Sequence, residues 1–371
     1  MSEPVVPEGS SSPEDAPKPE AAKPKGPPPR VFSGMQPTGA LHLGNWMGAL
    51  RSWAKLSDEA KATGLDCIFC IVDQHAITAD YEPKELRQKV IDAALYYIAA
   101  GVDPEHCTLL VQSHVPEHTE LAWYFNAIVP MGELSRMTQF KEKSEHKQSV
   151  ATGVFTYPLL MAADILVYKA TIVPVGEDQL QHLELARECA RKFNARFTPK
   201  RKYPTFPEPQ ARLSVTPRIM GLDGLTKMSK SRGNDIGLLE DDASIMKKLK
   251  GAYTDPQRLT LQDPGRPELC NIFTMHKAVS PPATVEEVDV KCRTAAFGCG
   301  DCKAILAQNL SRELTPIRAK AKELQAKPEV VLDALADGAR RCRGIAKETL
   351  REVRDRMGLV PAREPKAFEG A

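Results

Sequence analysis

Val31-Phe-Ser-Gly-Met35, followed at once by Gln36-Pro-Thr-Gly-Ala-Leu-His42-Leu-Gly-Asn45, is the stretch from which the fold is read. Val31–Met35 reads as a strand, Gln36–Gly39 as a turn, and the residues from about Leu43 to Leu56 as an amphipathic helix. A strand, a tight turn and a helix start gather backbone N–H groups and the positive end of a helix dipole at one point, where phosphate binds. Gly39 permits the turn, and Gly44 lets a nucleotide approach the backbone closely. His42 and Asn45, about one turn apart, can both donate to phosphate. Taken alone, such a turn is as often structural as functional.

Working outward, Cys67–Asp73 (CIFCIVD) and Thr108–Gln112 are short apolar runs of the kind expected for parallel strands buried on both faces. Between them, Pro83 starts a helix whose Leu86, Val90, Ala94 and Ile98 recur at helical spacing as far as Gly101. Helices over Leu121–Val129, Tyr157–Lys169 and Leu180–Phe193 and a short strand over Ile172–Val175 continue the alternation. Strands alternating with helices predict an α/β fold: a Rossmann-like, doubly wound parallel sheet over 31–240. After about Asp241 the alternation stops. Residues 303–326 and 328–357 are helical in period, so 241–371 is expected to be a mostly helical C-terminal domain. Residues 1–30 hold nine prolines among Ser, Glu, Ala and Lys, too little apolar surface to offset ordering, and are expected to be a disordered Pro-rich tail.

Lys+Arg of 50 against Asp+Glu of 48 leaves a net charge of +2, so any nucleic acid contact must come from local patches. No apolar run approaches the roughly 20 residues of a membrane span. The acids Glu3, Glu8, Glu14, Asp15 and Glu20 speak against a transit peptide. With nine cysteines and no secretion signal, a reducing, cytoplasmic location is expected, without membrane or DNA partners.

A second motif, Lys227-Met-Ser-Lys-Ser231, follows Gly221-Leu-Asp-Gly224. Two lysines three apart on a loop can close on a polyphosphate and neutralise charge that grows in a transition state. Together, HLGN and KMSKS resemble the HIGH and KMSKS signatures of class I aminoacyl-tRNA synthetases, with Asn45 standing where the class has a second His. Phe32-Ser-Gly-Met-Gln-Pro-Thr-Gly39, Ile71-Val-Asp-Gln-His-Ala-Ile-Thr78, Arg136-Met-Thr-Gln-Phe-Lys-Glu-Lys143, Tyr157-Pro-Leu-Leu-Met-Ala-Ala-Asp-Ile-Leu166 and Pro174-Val-Gly-Glu-Asp-Gln179 resemble the bacterial-type tryptophanyl-tRNA synthetases. With KMSKS, these blocks are spread over 31–235.

The resemblance implies activation of L-tryptophan by ATP and Mg2+, then transfer to tRNA(Trp), with a homodimer and a helical anticodon-binding domain over 241–371. It places His42, Asn45, Lys227, Lys230, Lys141 and Lys143 on the phosphates. Gln36, Pro37, Thr38 and Gly44, with Met228, Ser229 and Ser231, would complete the ATP site. Gly176, Glu177 and Asp178 would hold the ribose side, and Ile219 the adenine. Phe32, Gly34, Met161 and Val175 would line the ring pocket, while Tyr157, Gln139 and Gln179 would hold the ammonium and carboxylate. His75, near the end of a strand, is read equally as a substrate contact or a structural histidine.

Asp164 has its own physical argument, because it sits on an otherwise apolar helix where a carboxylate must be paired. An ionised carboxylate only accepts, and an indole N–H only donates. That match discriminates far better than pocket size. Three rival assignments remain from the sequence: a tyrosyl-tRNA synthetase, a non-catalytic tRNA-binding paralogue, and an adenylyl-transferring enzyme that uses no tRNA.

Cys270, Cys292, Cys299 and Cys302 form C-x21-C-x6-C-x2-C, with Cys299–Cys302 expected as a compact turn. Four thiolates fit a tetrahedral zinc or a [4Fe–4S] cluster, and uncommitted thiols are a third option. The resemblance to a cluster-bearing subset of the family points to [4Fe–4S] first and zinc second. Cys67 and Cys70 share the C-x2-C spacing but lie on a strand, where they face opposite ways, so they are expected to be core thiols.

Overall fold

The computed structural model describes residues 29–138, 150–200, 203–213 and 219–361. The expected tail over 1–30 therefore lies outside the described residues, apart from its last two.

Five strands form the sheet: β1 (Arg30–Met35), β2 (Asp66–Ile71), β3 (Thr108–Val111), β4 (Ile172–Val175) and β5 (Gln210–Leu213), in the order β3-β2-β1-β4-β5. Every pairing is parallel. The chain starts in the middle of the sheet, winds out to β3, and returns to lay β4 on the free side of β1. That reversal makes β1/β4 the switch point, outside whose carboxyl ends a doubly wound sheet binds its ligand. The sheet is the parallel α/β architecture expected from the sequence. β5 was not anticipated, because an edge strand of four residues with mostly exposed side chains carries no apolar period.

Side chains alternate between two hydrophobic clusters. Cys67 and Phe69 pack with Trp53 and Leu50 on one face, whereas Ile68 and Cys70 pack with Phe32 and Phe125 on the other. Cys67 and Cys70 thus point apart, as the strand period requires.

The first crossover is more broken than its sequence suggests. A short helical turn over Leu43–Asn45 passes into a π turn over Trp46–Leu50, and the regular helix runs Arg51–Thr63. The wider turn lets Trp46, Met47 and Leu50 all reach the core. The other helices keep their places with shifted ends: Pro83–Ala99, Glu117–Asn126, Thr152–Leu166 and Leu180–Phe197. Among the described residues no strand follows β5, and none of the helices is long and apolar enough to cross a membrane.

Beyond residue 241 come helices Asp242–Lys250, Asn271–Val279, Pro282–Arg293, Cys299–Ala326 and Pro328–Met357. They are bound into the sheet. Leu306, Leu310 and Leu314 share the cluster of Trp53, and Cys342, Ala346 and Leu350 share that of Phe32. The last helix lies so close to β3 that a Cβ on Gly338 would stand 1.8 Å from the carbonyl oxygen of Leu109. Only glycine fits there. Arg354 on the same helix pairs with Glu120, its Nε donating to Oε1 at 2.7 Å.

Candidate active site

A cleft of about 510 Å³ opens at the carboxyl ends of β1 and β4. Phe32, Gly34 and Gln36 reach it from β1 and its loop, and Gly44 and Asn45 from the first helical turn. The helix Thr152–Leu166 contributes Tyr157, Met161 and Asp164. His75 enters from the turn after β2, and Val175, Gly176, Asp178 and Gln179 from β4 and the residues after it. These residues, scattered from 32 to 179, were all expected at one site. Gln139, Lys141 and Lys143 lie outside the described residues. Pro37, Thr38 and Glu177 belong to the loops that frame the cleft without being part of its lining.

Asp164 is 1% exposed. Its Oδ2 accepts from His75 Nε2 at 2.8 Å, and its Oδ1 from His118 Nδ1 at 2.6 Å and Gln112 Nε2 at 2.7 Å. Burial alone would raise its pKa. The hydrogen bonds from His118 and His75 outweigh that and hold the carboxyl well below the usual carboxylate range. The group is therefore a fixed, buried negative charge at the cleft wall. His75 is accordingly both bonded to Asp164 and exposed to the cleft. Tyr157 places its hydroxyl 2.9 Å from His182 Nε2.

Gln112, His118 and His182 were missed in the sequence. Gln112 directly follows β3, at the end of the sheet where ligands gather, and that position was the available signal. His118 and His182 carry none, since a histidine near a helix start usually faces water.

The other end of the cleft is built from the strand–turn–helix. Gly39 has φ 93°, the left-handed conformation the turn demands. The Asn45 side chain folds back, its Oδ1 accepting from the backbone N–H of His42 at 3.0 Å. Burial lowers the pKa of His42, with Asp235 opposing. Among the described residues its Nδ1 has no hydrogen-bond partner.

Residues 236–238 run antiparallel against 41–43. Leu43 N donates to Ile236 O at 2.8 Å, and Leu238 N to Leu41 O at 3.0 Å. This strap carries the lysine loop to the helix start. Met228 is buried, and a Cβ on Gly44 would lie 3.5 Å from its Cβ. Lys227 and Lys230 are exposed, and Ser231 lies within the turn Lys230–Arg232. Asn234 holds the loop from behind: its Oδ1 accepts from Ser229 N at 2.8 Å, and its amide donates to Asp223 Oδ2 at 2.8 Å. Ile219, expected at the adenine, is instead buried in the cluster that holds Leu43 and Met228, and is not part of the cleft lining.

The cysteines form a second site. Cys299-Gly-Asp-Cys302, expected as a compact turn, is the first turn of the helix Cys299–Ala326. Asp301 accepts from the backbone N–H of Gly298 at 3.0 Å and so caps the helix start. Three residues apart on a helix still share a face. Arg258 Nη1 lies 3.7 Å from Cys292 Sγ and 3.9 Å from Cys299 Sγ. Burial pushes the Cys302 thiol up to about 12, reinforced by Cys270, Cys292 and Cys299. The four thiols thus lie within electrostatic reach of one another. Among the described residues, Asp103, Glu105 and His106 are the set of three His, Cys, Asp or Glu ligand atoms lying within 4.8 Å of one another; no three of the cysteine sulfurs meet that limit together.

The family described as tRNA synthetases class I (W and Y) matches residues 24–315. With the parallel sheet, the strand–turn–helix and the lysine loop in place, the chain belongs to this class of tRNA synthetases. A tryptophan–tRNA ligase of Deinococcus radiodurans is 49% identical over 334 residues, covering 89% of this chain and 99% of that protein. One from Caldanaerobacter subterraneus is 45% identical, over 89% and 98%. The crystal structure of a Campylobacter jejuni tryptophanyl-tRNA synthetase complexed with ADP and tryptophan superposes with a TM-score of 0.77 at 33% identity, over 89% of this chain and 100% of that one. Within the class, the chain belongs to the tryptophan–tRNA ligases.

Proposed function

We propose that the chain joins L-tryptophan to tRNA(Trp) in the β1/β4 cleft, at the expense of ATP and through tryptophanyl-adenylate. The observation that carries this is Asp164, an ionised carboxylate buried in the cleft wall. A carboxylate offers about four lone-pair sites, and three donors occupy Asp164. One acceptor site remains for an indole N–H.

Phe32, Gly34, Met161 and Val175 frame the ring, and His75 stands beside Asp164. Tyr157 and Gln179, with Gln139, take the ammonium and carboxylate. The tryptophan carboxylate attacks the α-phosphorus of ATP and pyrophosphate leaves. The tRNA 3′-hydroxyl then attacks the acyl carbon and AMP leaves. Positioning and charge stabilisation drive the first step. Gln36, Pro37, Thr38 and Gly44 lie against the nucleotide, with Gly176, Glu177 and Asp178 on its ribose side and Ile219 behind the adenine. His42, Asn45, Lys227 and Lys230, with Lys141 and Lys143, neutralise the phosphates, and Met228, Ser229 and Ser231 shape the loop. Mg2+ arrives with ATP and offsets phosphate charge.

The test is ATP–pyrophosphate exchange with tryptophan and tyrosine offered separately; stimulation by tryptophan alone is expected. Preference for tyrosine would overturn the role of Asp164. No exchange with either, from folded protein, would favour a non-catalytic tRNA-binding protein.

For Cys270, Cys292, Cys299 and Cys302 a [4Fe–4S] cluster is the first assignment and zinc the second. Tetrahedral zinc, with Zn–S near ~2.3 Å, would draw the sulfurs to within about 4 Å of each other. Bound there, the cluster would brace three helix ends of the 241–371 region, which is assigned to the anticodon. Anaerobic purification with iron and sulfide analysis decides: colourless protein containing zinc supports the second assignment. A homodimer is assigned on the family resemblance alone. Nine free cysteines accord with the cytoplasm.

A further inference from the structure

His118, Tyr168 and Cys342 are each 0% exposed and stand behind the cleft wall. They come from three elements: the helix Glu117–Asn126, the turn after Thr152–Leu166, and the last helix, Pro328–Met357. His118 Nδ1 lies 2.6 Å from Asp164 Oδ1, and its Nε2 lies 2.7 Å from the Tyr168 hydroxyl. Cys342 shares the buried cluster of Tyr168 and Phe32. The Tyr168 ring stacks on Phe32, centroids 5.6 Å apart, and meets the His118 ring edge-on at 5.3 Å.

The charge of Asp164 sets the direction of these bonds. An ionised carboxylate only accepts, so His118 Nδ1 carries the proton. In the neutral ring Nε2 then accepts, and Tyr168 must donate to it. Both donors, His118 Nδ1 and the Tyr168 hydroxyl, point toward the cleft.

We infer that His118, backed by Tyr168, is a positioning residue for amino-acid specificity: it holds Asp164 so that the free acceptor site faces a ring N–H in the cleft. This rests on the assignment of tryptophan to that cleft. Asp164 has two other donors, but each has a second duty. His75 is itself part of the cleft lining, and Gln112 also accepts from the backbone N–H of Gln74 at 3.1 Å. His118 is committed at both ring nitrogens and touches nothing in the cleft. Removing it leaves Oδ1 with one donor and the Tyr168 hydroxyl without an acceptor. The carboxylate is then free to turn.

The experiment compares L-tryptophan with β-(3-benzothienyl)alanine, an isostere in which sulfur replaces the ring N–H, in pyrophosphate exchange by the full-length protein. The quantity read is the ratio of the two kcat/KM values. In the wild type the ratio strongly favours tryptophan. His118→Leu lowers it by about tenfold, through a higher KM for tryptophan, with the isostere nearly unaffected. His118→Asn, whose amide can donate to Oδ1, restores most of the ratio. Tyr168→Phe lowers it by about threefold. A His118→Leu protein that loses activity equally with both substrates has lost only fold, and that result overturns the inference. Should His118→Leu not fold, Tyr168→Phe decides, and an unchanged ratio overturns it. A wild type that does not distinguish the substrates would instead remove the role of Asp164 itself, and the inference with it.

Discussion

Asp164, at the tryptophan end of the cleft, is 1% exposed and takes hydrogen bonds from His75, Gln112 and His118. Lys227 and Lys230, at the phosphate end, are exposed, on a loop anchored by the buried Met228 and by Asn234. The contrast follows from what each end must recognise. An indole N–H only donates, whereas a phenol hydroxyl both donates and accepts, so the acceptor that reads the indole must already be in place when the amino acid arrives. A triphosphate changes its charge distribution during the reaction, so its cations must be able to move with it.

If that contrast is right, damage at the two ends has different kinetic signatures. Asp164→Ala should have the largest effect, lowering tryptophan-dependent kcat/KM by about 1,000-fold or more. It should also destabilise the fold by about 3–5 kcal/mol, because three buried donors lose their acceptor. Urea unfolding and exchange kinetics on the same preparation separate the two losses. Lys230→Ala should cost about 100-fold in kcat while the tryptophan KM stays put. An unchanged kcat would remove the lysine loop from the chemistry. Asn234→Ala should lower kcat by about tenfold, because the loop keeps its charges but loses its anchor. Equal damage to kcat and tryptophan KM would show that the two ends are not separable.

The smallest expected effect is that of pH. The pKa of Asp164 is held below its ordinary value. Its contribution to stability is therefore fully present above about pH 4 and is lost only as pH falls toward the folded-state value. The difference in unfolding free energy between wild type and Asp164→Asn should stay constant from pH 8 to about 5 and shrink only under stronger acid. A change near pH 6 would mean that a histidine partner, and not the carboxylate, controls the network.

Much of the cleft was legible because the chemistry is local. Val31–Asn45 announces a strand, a turn and a helix start by its apolar residues and its glycines, and Asp164 announces itself as one carboxylate on an apolar helix. The burial of Ile219 was not legible, because an apolar residue near a motif looks the same whether it faces a ligand or the core. That the compact turn Cys299–Cys302 opens a helix was not legible, since Gly298 and Asp301 reveal a helix start only once the backbone is seen to place the acceptor on the N–H. β5 had no period to read.

By itself, then, the sequence determined the alternation of strands and helices, the phosphate-binding turn, the lysine loop and the lone carboxylate. Each of these is a matter of spacing along the chain and of what one residue cannot tolerate alone. Tertiary structure decided what surrounds them. His118 and Tyr168 behind Asp164, the strap that carries Met228 to Gly44, and the last helix lying on β3 at Gly338 join residues up to some 230 positions apart. Contacts of that kind arise from how faces pack. A face is specified by many residues at once, so no single stretch of sequence announces its partner.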